Sequence, residues 1–373
     1  MSTVQERVID TPLSVRPAER SNGNIIQVYG VTAVGDGMIA IASRLNTILL
    51  WDSSLRGRDR RLRGHDRWVT CIASSKEGWF ASGSVDTTVR VWGNSGSAKG
   101  MRKGHTDSVM ALAPLKEEQL ASASEDGTIQ IWNVKGQGEP HIRTLSLGKA
   151  KVRFLSLAYC EQKEMLASGS SDKKVRIWNV RSGQNTIVGE HNGDVESLAF
   201  VSYAVLASGS HDKTIRLWDV SEPWDVSKTG REIAVLEGHT SRVSSLVMLK
   251  NGYLASGSAD RKIRIWNVYK KRTVVRFEGH EKAITSLAVC KDENKDENLV
   301  SGSYNGTVRI WKLPDLPEVK APYLPPSQDE AEGSDASTQH LLRDVSDDDE
   351  GGPSNVSVAI DRQLDILEAN VKR

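Results

Sequence analysis

Residues 166–178 read Leu-Ala-Ser-Gly-Ser-Ser-Asp-Lys-Lys-Val-Arg-Ile-Trp, and close copies of this stretch recur along the chain. Each copy holds two short runs in which apolar side chains alternate with small or polar ones, as in Leu120-Ala-Ser-Ala-Ser and Thr128-Ile-Gln-Ile-Trp132. Such alternation puts the apolar set on one face of an extended chain, so both runs are predicted strands. Between them, six residues before the tryptophan, stands an aspartate: Asp86, Asp126, Asp172, Asp212 and Asp260. A carboxylate there can bond the neighbouring backbone and fix a tight turn.

The tryptophans that end the copies are Trp51, Trp92, Trp132, Trp178, Trp218, Trp266 and Trp311, spaced 41, 40, 46, 40, 48 and 45 residues apart. Periodicity on this scale marks a repeat architecture whose units bury their faces against one another. Upstream of most copies lies a Gly-His pair (Gly64-His65, Gly104-His105, Gly238-His239 and Gly279-His280), with Glu190-His191 as a variant. Together these features resemble the WD-repeat family over about 290 of the 373 residues.

The resemblance implies an all-β fold, a closed seven-bladed β-propeller of four-stranded antiparallel blades over residues 24–313. It also implies that a histidine, a strand serine, the turn aspartate and the tryptophan of one repeat form a hydrogen-bonded chain that pins the blade. The residues so implicated are His65, Asp86 and Trp92; His105, Asp126 and Trp132; Asp172 and Trp178; His191, Asp212 and Trp218; His239, Asp260 and Trp266; and His280 and Trp311. Three repeats depart from the pattern. Repeat one lacks the Gly-His and puts Leu45 at the aspartate position, repeat four has Gly148-Lys149 for Gly-His, and repeat seven has Asn305 for the aspartate. In the family an outer strand preceding the first repeat completes the last blade, which predicts that residues near 24–30 zip against blade seven.

Composition bounds the rest. Apolar residues make up 38% and charged residues 26% of the chain, and no apolar run approaches the roughly 20 residues that span a bilayer, so no membrane role is expected. The N-terminal MSTVQERVIDTPLSVRPAER carries charges throughout and lacks a signal peptide's apolar core. Cys71, Cys160 and Cys290 are isolated and odd in number, which points to reduced thiols and a cytoplasmic or nuclear protein. Residues 1–23 read as a flexible segment. Between Ser327 and Gly352 there are nine Asp/Glu against one Arg, a net of −8, which leaves +9 on the remainder of a chain whose total is +1. Residues 314–373 thus form a Pro-rich, then acidic tail, predicted to be disordered. Ile360, Leu364, Leu367 and Val371 lie on one helical stripe, which predicts a short amphipathic helix over 358–372.

A recurring Ser, His and Asp invites a catalytic reading. A set copied in nearly every repeat serves the repeat, however, since an active site needs one constellation. No phosphate-binding loop, dinucleotide fingerprint or HExxH motif is present, so no catalytic residue, metal or cofactor is assigned and no small-molecule substrate is expected. The positions that vary carry more information. In the family, the start of each innermost strand and the residue before the turn aspartate surround the channel mouth on one face. Mapped here, these positions include Thr32, Thr70, Val85, Ser108, Ser171, Ser244 and Thr285, and a candidate partner-binding rim of Arg44, Trp68, Met110, Glu125, Arg153, Leu155, Asp194, Glu196, His211, Arg242 and Tyr304. Large apolar groups with both signs of charge suit a protein or peptide partner.

The resulting reading is a non-catalytic protein–protein interaction scaffold within a multiprotein complex. Two alternatives stand beside it. Trp178-Asn179-Val180-Arg181 resembles the Trp-Asp-x-Arg of some WD-repeat substrate receptors of cullin-RING ubiquitin ligases, with Asn for Asp. The basic run Arg56–Arg67 (RGRDRRLRGHDR) reads most simply as protection of a sheet edge; it could instead engage nucleic acid or chromatin, although it lacks interleaved aromatics for base stacking. On the opposite face, Trp224 lies in a polar loop, either folded onto the propeller or awaiting a partner.

Overall fold

The computed structural model describes residues 7–9, 14–16, 20–21, 24–35, 37–52, 59–135, 140–148, 152–225, 230–292 and 295–319, with side chains described from Ile26 onward. Of the expected tail, residues 320–373, with the helix over 358–372, lie outside the described residues. Residues 314–319 are ordered rather than disordered: Leu316 and Val319 pack against the propeller, and the Val319 N–H bonds Asn251 O at 2.9 Å. Among the described residues all regular structure is strand.

Each predicted strand pair is the middle of a four-stranded antiparallel blade, and there are seven blades. From the innermost strand outward, blade one is Val28–Val34, Met38–Ser43, Thr47–Asp52 and Arg60–Arg63. Blade two is Val69–Ser74, Trp79–Ser84, Val89–Gly93 and Ala98–Arg102, and blade three is Val109–Pro114, Gln119–Ser124, Thr128–Asn133 and His141–Ser146. Blade four comprises Phe154–Cys160, Met165–Ser170, Lys174–Asn179 and Asn185–Glu190; blade five comprises Val195–Ser202, Val205–Ser210, Ile215–Asp219 and Glu232–Leu236. In blade six, Val243–Met248, Leu254–Ser258, Ile263–Asn267 and Arg272–Phe277 are joined by a fifth, parallel strand, Arg7–Ile9. Blade seven takes Ile284–Lys291, Glu297–Ser303 and Val308–Lys312 from one end of the chain and Ser14–Arg16 from the other.

The ring therefore closes as the resemblance implied, but through different residues. Ser14–Arg16 pairs antiparallel with Val308–Lys312, whereas residues 24–30 supply the end of a small hairpin and the start of the innermost strand of blade one. The extra parallel strand on blade six also lies upstream of residue 24. No turn or tryptophan signal marks either short strand.

Apolar packing runs between blades as well as within them. One buried cluster joins Ala167, Val175 and Ile177 of blade four to Val195, Leu198 and Trp218 of blade five, and another joins Val28, Ile39 and Trp51 of blade one to Val300, Val308 and Ile310 of blade seven. This packing explains the glycine of the Ser-Gly-Ser segment. A Cβ at Gly83 would sit 2.6 Å from Val109 Cγ1 of the next blade, and one at Gly302 would sit 2.6 Å from Val28 Cγ1 across the closure. Small hydroxyls on the innermost strands add inter-blade bonds: Ser156 Oγ donates to Val195 O at 3.1 Å, Ser197 Oγ to Val243 O at 3.2 Å, and the Val31 N–H to Ser286 Oγ at 3.1 Å across the closure.

Because overpacking a tight contact costs about 1–3 kcal/mol, Gly302→Ala is expected to lower the denaturant midpoint, with the loss concentrated at the blade seven to blade one seam. An unchanged midpoint would show that Val28 can give way.

Candidate functional site

Two side-chain constellations recur around the ring, one buried and one exposed. In blade two the buried one begins at His65, whose Nδ1 lies 2.8 Å from Asp86 Oδ2 and whose Nε2 lies 2.8 Å from Ser82 Oγ; the Trp92 indole N–H donates to the same Oγ at 2.9 Å. One proton arrangement satisfies every group: the indole donates to the serine, the serine to Nε2, and Nδ1–H to the carboxylate. Asp86 also accepts the Asp66 and Thr88 backbone N–H groups and the Thr88 hydroxyl, which fixes the turn. The same set forms at His105, Ser122, Asp126 and Trp132, at His191, Ser208, Asp212 and Trp218, and at His239, Ser256, Asp260 and Trp266.

Burial alone would raise the Asp86 and Asp126 carboxyls, but bonds from histidine, threonine and backbone N–H outweigh it and hold both well below the usual carboxylate range. Against the same burial, Thr214, the Asn192 N–H and His191 hold Asp212 down at about 2. The set has the composition of a hydrolytic triad without its access. Ser82, Ser122, Ser208 and Ser256 are all 0% exposed, and each hydroxyl is bonded on both sides.

The departing repeats solve the same problem differently. In blade four Asp172 pairs with the buried Arg176 guanidinium at 2.6 Å, and Trp178 still donates to Ser168 Oγ at 2.7 Å. In blade seven His280 Nε2 meets Ser301 Oγ at 2.6 Å, but its Nδ1 faces the Thr307 hydroxyl at 3.3 Å, Asn305 having replaced the carboxylate. Burial, with Arg309 nearby, pushes the His280 imidazole down to about 3. In blade one Ile41, Leu45 and Leu49 stand at the serine, aspartate and strand-arginine positions, around a cavity of about 20 Å³.

The exposed constellation rests on a backbone bond made in every blade. The N–H before the turn position donates to the carbonyl just before the innermost strand: Arg44 to Gln27, Val85 to Trp68, Glu125 to Ser108, Ser171 to Arg153, His211 to Asp194, Ala259 to Arg242 and Tyr304 to Ala283. This sevenfold register brings all eleven candidate rim residues to one face and corrects one assignment. Thr32 is buried in mid-strand and bonded to Ser74 Oγ at 2.8 Å; the equivalent positions in blade one are Gln27 and Tyr29. Blade one lacks the Gly-His that marks a strand start, so its offset was not readable.

Around blades three to six the rim charges pair. Arg153 contacts Glu125 at 3.2 Å and Asp194 at 3.7 Å, and Glu196 contacts His211 at 2.6 Å and Arg242 at 3.4 Å. Met110 and Leu155 are half-buried beside them. Over blades seven, one and two the rim is aromatic. Trp68 and Tyr304 are 42% and 44% exposed, and the Arg44 guanidinium lies over the Trp68 ring, 4.3 Å from its centroid.

On the opposite face a hollow of about 720 Å³ opens at the far ends of the innermost strands, where Lys76 and Glu161 pair at 3.3 Å. Tyr203 is exposed there with Lys163 Nζ over its ring, and Trp224 is 38% exposed. Asn179 accepts the Arg181 and Ser182 N–H groups at 3.0 Å each, so it caps this turn as an aspartate would, and Arg181 pairs with Glu164 at 3.2 Å. Of the basic run, residues 56–58 lie outside the described residues. Arg60–Arg63 is the exposed outermost strand of blade one, where Arg60 donates to Ser95 O at 2.7 Å.

The sequence profile of the family described as WD domain, G-beta repeat, matches residues 58–93, 96–133, 141–179, 184–219, 230–267 and 271–312. The matches cover repeats two to seven and more than half of the chain. Repeat one, which lacks the polar set, falls outside them. No curated protein matches the chain.

Two outcomes follow from the buried constellation. Ser208→Ala would leave the Trp218 N–H and the His191 Nε2 unpaired, at about 1–3 kcal/mol for each group, measurable by denaturant unfolding. The pH dependence has a definite sign. Because the folded His280 value, about 3, lies below its ordinary 6.5, the unfolded chain binds the proton first. Its contribution is therefore complete above about pH 6.5 and is lost as pH falls toward about 3, whereas the depressed aspartates withdraw theirs only below about pH 4. Thermal melts between pH 7.5 and 4.5 should show a falling midpoint, and His280→Asn should reduce that slope. An equal slope in the variant would place the sensitivity elsewhere.

Proposed function

The chain belongs to the WD-repeat family, and we propose that it acts as a non-catalytic scaffold that binds a protein or peptide partner on the rim of its propeller. The observation that carries this reading is the exposure of Trp68 and Tyr304 on the face where the strand register gathers the most variable side chains. Leaving two large aromatics in water is unfavourable unless a partner covers them, and aromatics with arginine are the residues that dominate binding energy at interfaces. The family's propellers generally bind other proteins and are typically not catalytic. The buried Ser-His-Asp sets support a structural role for the residues that most resemble an active site. Arg181 and Asn179 have partners within their own turn and blade, and Arg60 is likewise bonded, so the scaffold reading stands ahead of the ubiquitin-ligase receptor and nucleic-acid readings. Cys71, Cys160 and Cys290 are free thiols, which supports a cytoplasmic or nuclear location.

The test is affinity capture from cell extract with three baits: the full chain, residues 1–320, and the full chain carrying Trp68→Ala, Leu155→Ala and Arg242→Ala. A set of proteins lost only with the triple variant is the expected result. If the triple variant retains every protein and the truncated bait none, recognition lies in the tail and the rim reading fails.

A further inference from the structure

Resting on that rim reading, we propose that the sector formed by blades seven, one and two is an anchor site for an acidic residue of a partner peptide, with Arg44 as the group that receives its carboxylate. The argument begins from which rim charges are already matched. Arg153 touches two carboxylates and Arg242 one, so the charge of each is already balanced by a neighbouring carboxylate. Among the described residues no carboxylate contacts the Arg44 side chain.

Arg44 is also held in place. Its backbone N–H bonds Gln27 O at 2.9 Å, and its guanidinium carbon lies over the Trp68 ring, 4.3 Å from the centroid. The contact with the ring draws on the guanidinium's charge and leaves N–H groups of its five-donor fork for an acceptor. A carboxylate matches that planar fork with two parallel bonds, as a point-like cation would not. The stacked arginine has already lost much of its rotamer freedom, so the cost of ordering it falls on folding and not on binding.

The surroundings narrow the ligand further. Trp68 and Tyr304 offer exposed ring surface on either side of blade one, and Tyr29, bonded through its hydroxyl to Gln27 Oε1 at 3.1 Å, lies between them on the innermost strand. Ring surface beside a lone guanidinium fits an Asp or Glu followed or preceded by an apolar side chain. A cationic ligand would have to approach Arg44 itself. The neighbouring sector disfavours extending the acidic stretch, because Glu125, Asp194 and Glu196 lie along it. One acidic residue in an otherwise apolar motif is therefore the recognised feature, and not an acidic tract.

The experiment selects from a display library of random, unmodified heptapeptides on the immobilised full chain, with Arg44→Gln and Trp68→Ala as parallel baits. The wild type is expected to enrich peptides with Asp or Glu at one fixed position beside an apolar residue, and Arg44→Gln to lose that preference. For an enriched peptide, replacing the acid by its amide should weaken binding about tenfold or more on the wild type and less than about twofold on Arg44→Gln, as fluorescence polarisation reads it. An arginine that only supports Trp68 would not couple to the peptide's charge. Acidic preference retained by Arg44→Gln overturns the proposal. Enriched peptides without a fixed acid, lost on Trp68→Ala, overturn the acidic anchor and leave the rim reading in place. A wild type that enriches nothing overturns both.

Discussion

Each regular blade hangs on one buried serine hydroxyl. In blade two, Ser82 Oγ accepts the Trp92 indole N–H and bonds His65 Nε2, and it is wholly buried. Three separate pieces of chain meet at that oxygen: the second strand that carries it, the third strand that ends in the tryptophan, and the loop that arrives from the preceding blade with the histidine. The sequence repeat is therefore out of step with the structural blade, and each blade is fastened to the end of its predecessor. Because the group sits in low dielectric, the bonds are strong and the cost of leaving any member unmatched is high. The aspartate follows from the same logic, since a histidine that accepts the serine proton at one nitrogen must find an acceptor for the hydrogen on the other.

The irregular blades show which part of that arrangement is essential. Blade one keeps Trp51 but replaces serine, aspartate and strand arginine together by Ile41, Leu45 and Leu49, so none of those three positions carries a polar group in need of a partner. Blade four has no histidine partner for Asp172 and keeps the carboxylate by turning Arg176, two residues before the tryptophan, onto it. Blade seven changes only the aspartate, and burial, with Arg309 nearby, pushes its histidine down to about 3. Concerted replacement is thus better accommodated than a single change.

The buried machinery was legible in the sequence because it recurs. Trp, Asp and Ser-Gly-Ser at fixed offsets announce hairpins of fixed register, and even the glycine has a local cause in the valine of the next blade. What recurs once was not legible. The closing strand Ser14–Arg16 and the parallel strand Arg7–Ile9 are three residues each, with no alternation long enough to detect. The rim positions are legible in six blades and offset in the first, where the sequence points to Thr32 and the backbone register to Gln27 and Tyr29. With neither Gly-His nor turn aspartate in that repeat, nothing in the sequence fixes where the innermost strand begins.

That same backbone register gives the rim its functional meaning. The bond from the residue before the turn to the carbonyl before the innermost strand is made in every blade by main-chain atoms, whatever side chain stands there. Side chains at these positions are consequently released from the task of holding the blade, and the fold tolerates Val85, Glu125, Ser171, His211 or Tyr304 at equivalent sites. Packing demands cannot then explain why four successive blades carry interlocking charges while the remaining three carry exposed Trp68 and Tyr304 and an arginine, Arg44, that no carboxylate among the described residues contacts. An arrangement that stability does not require, displayed on strands around one mouth, is what the proposed binding role of this face would call for.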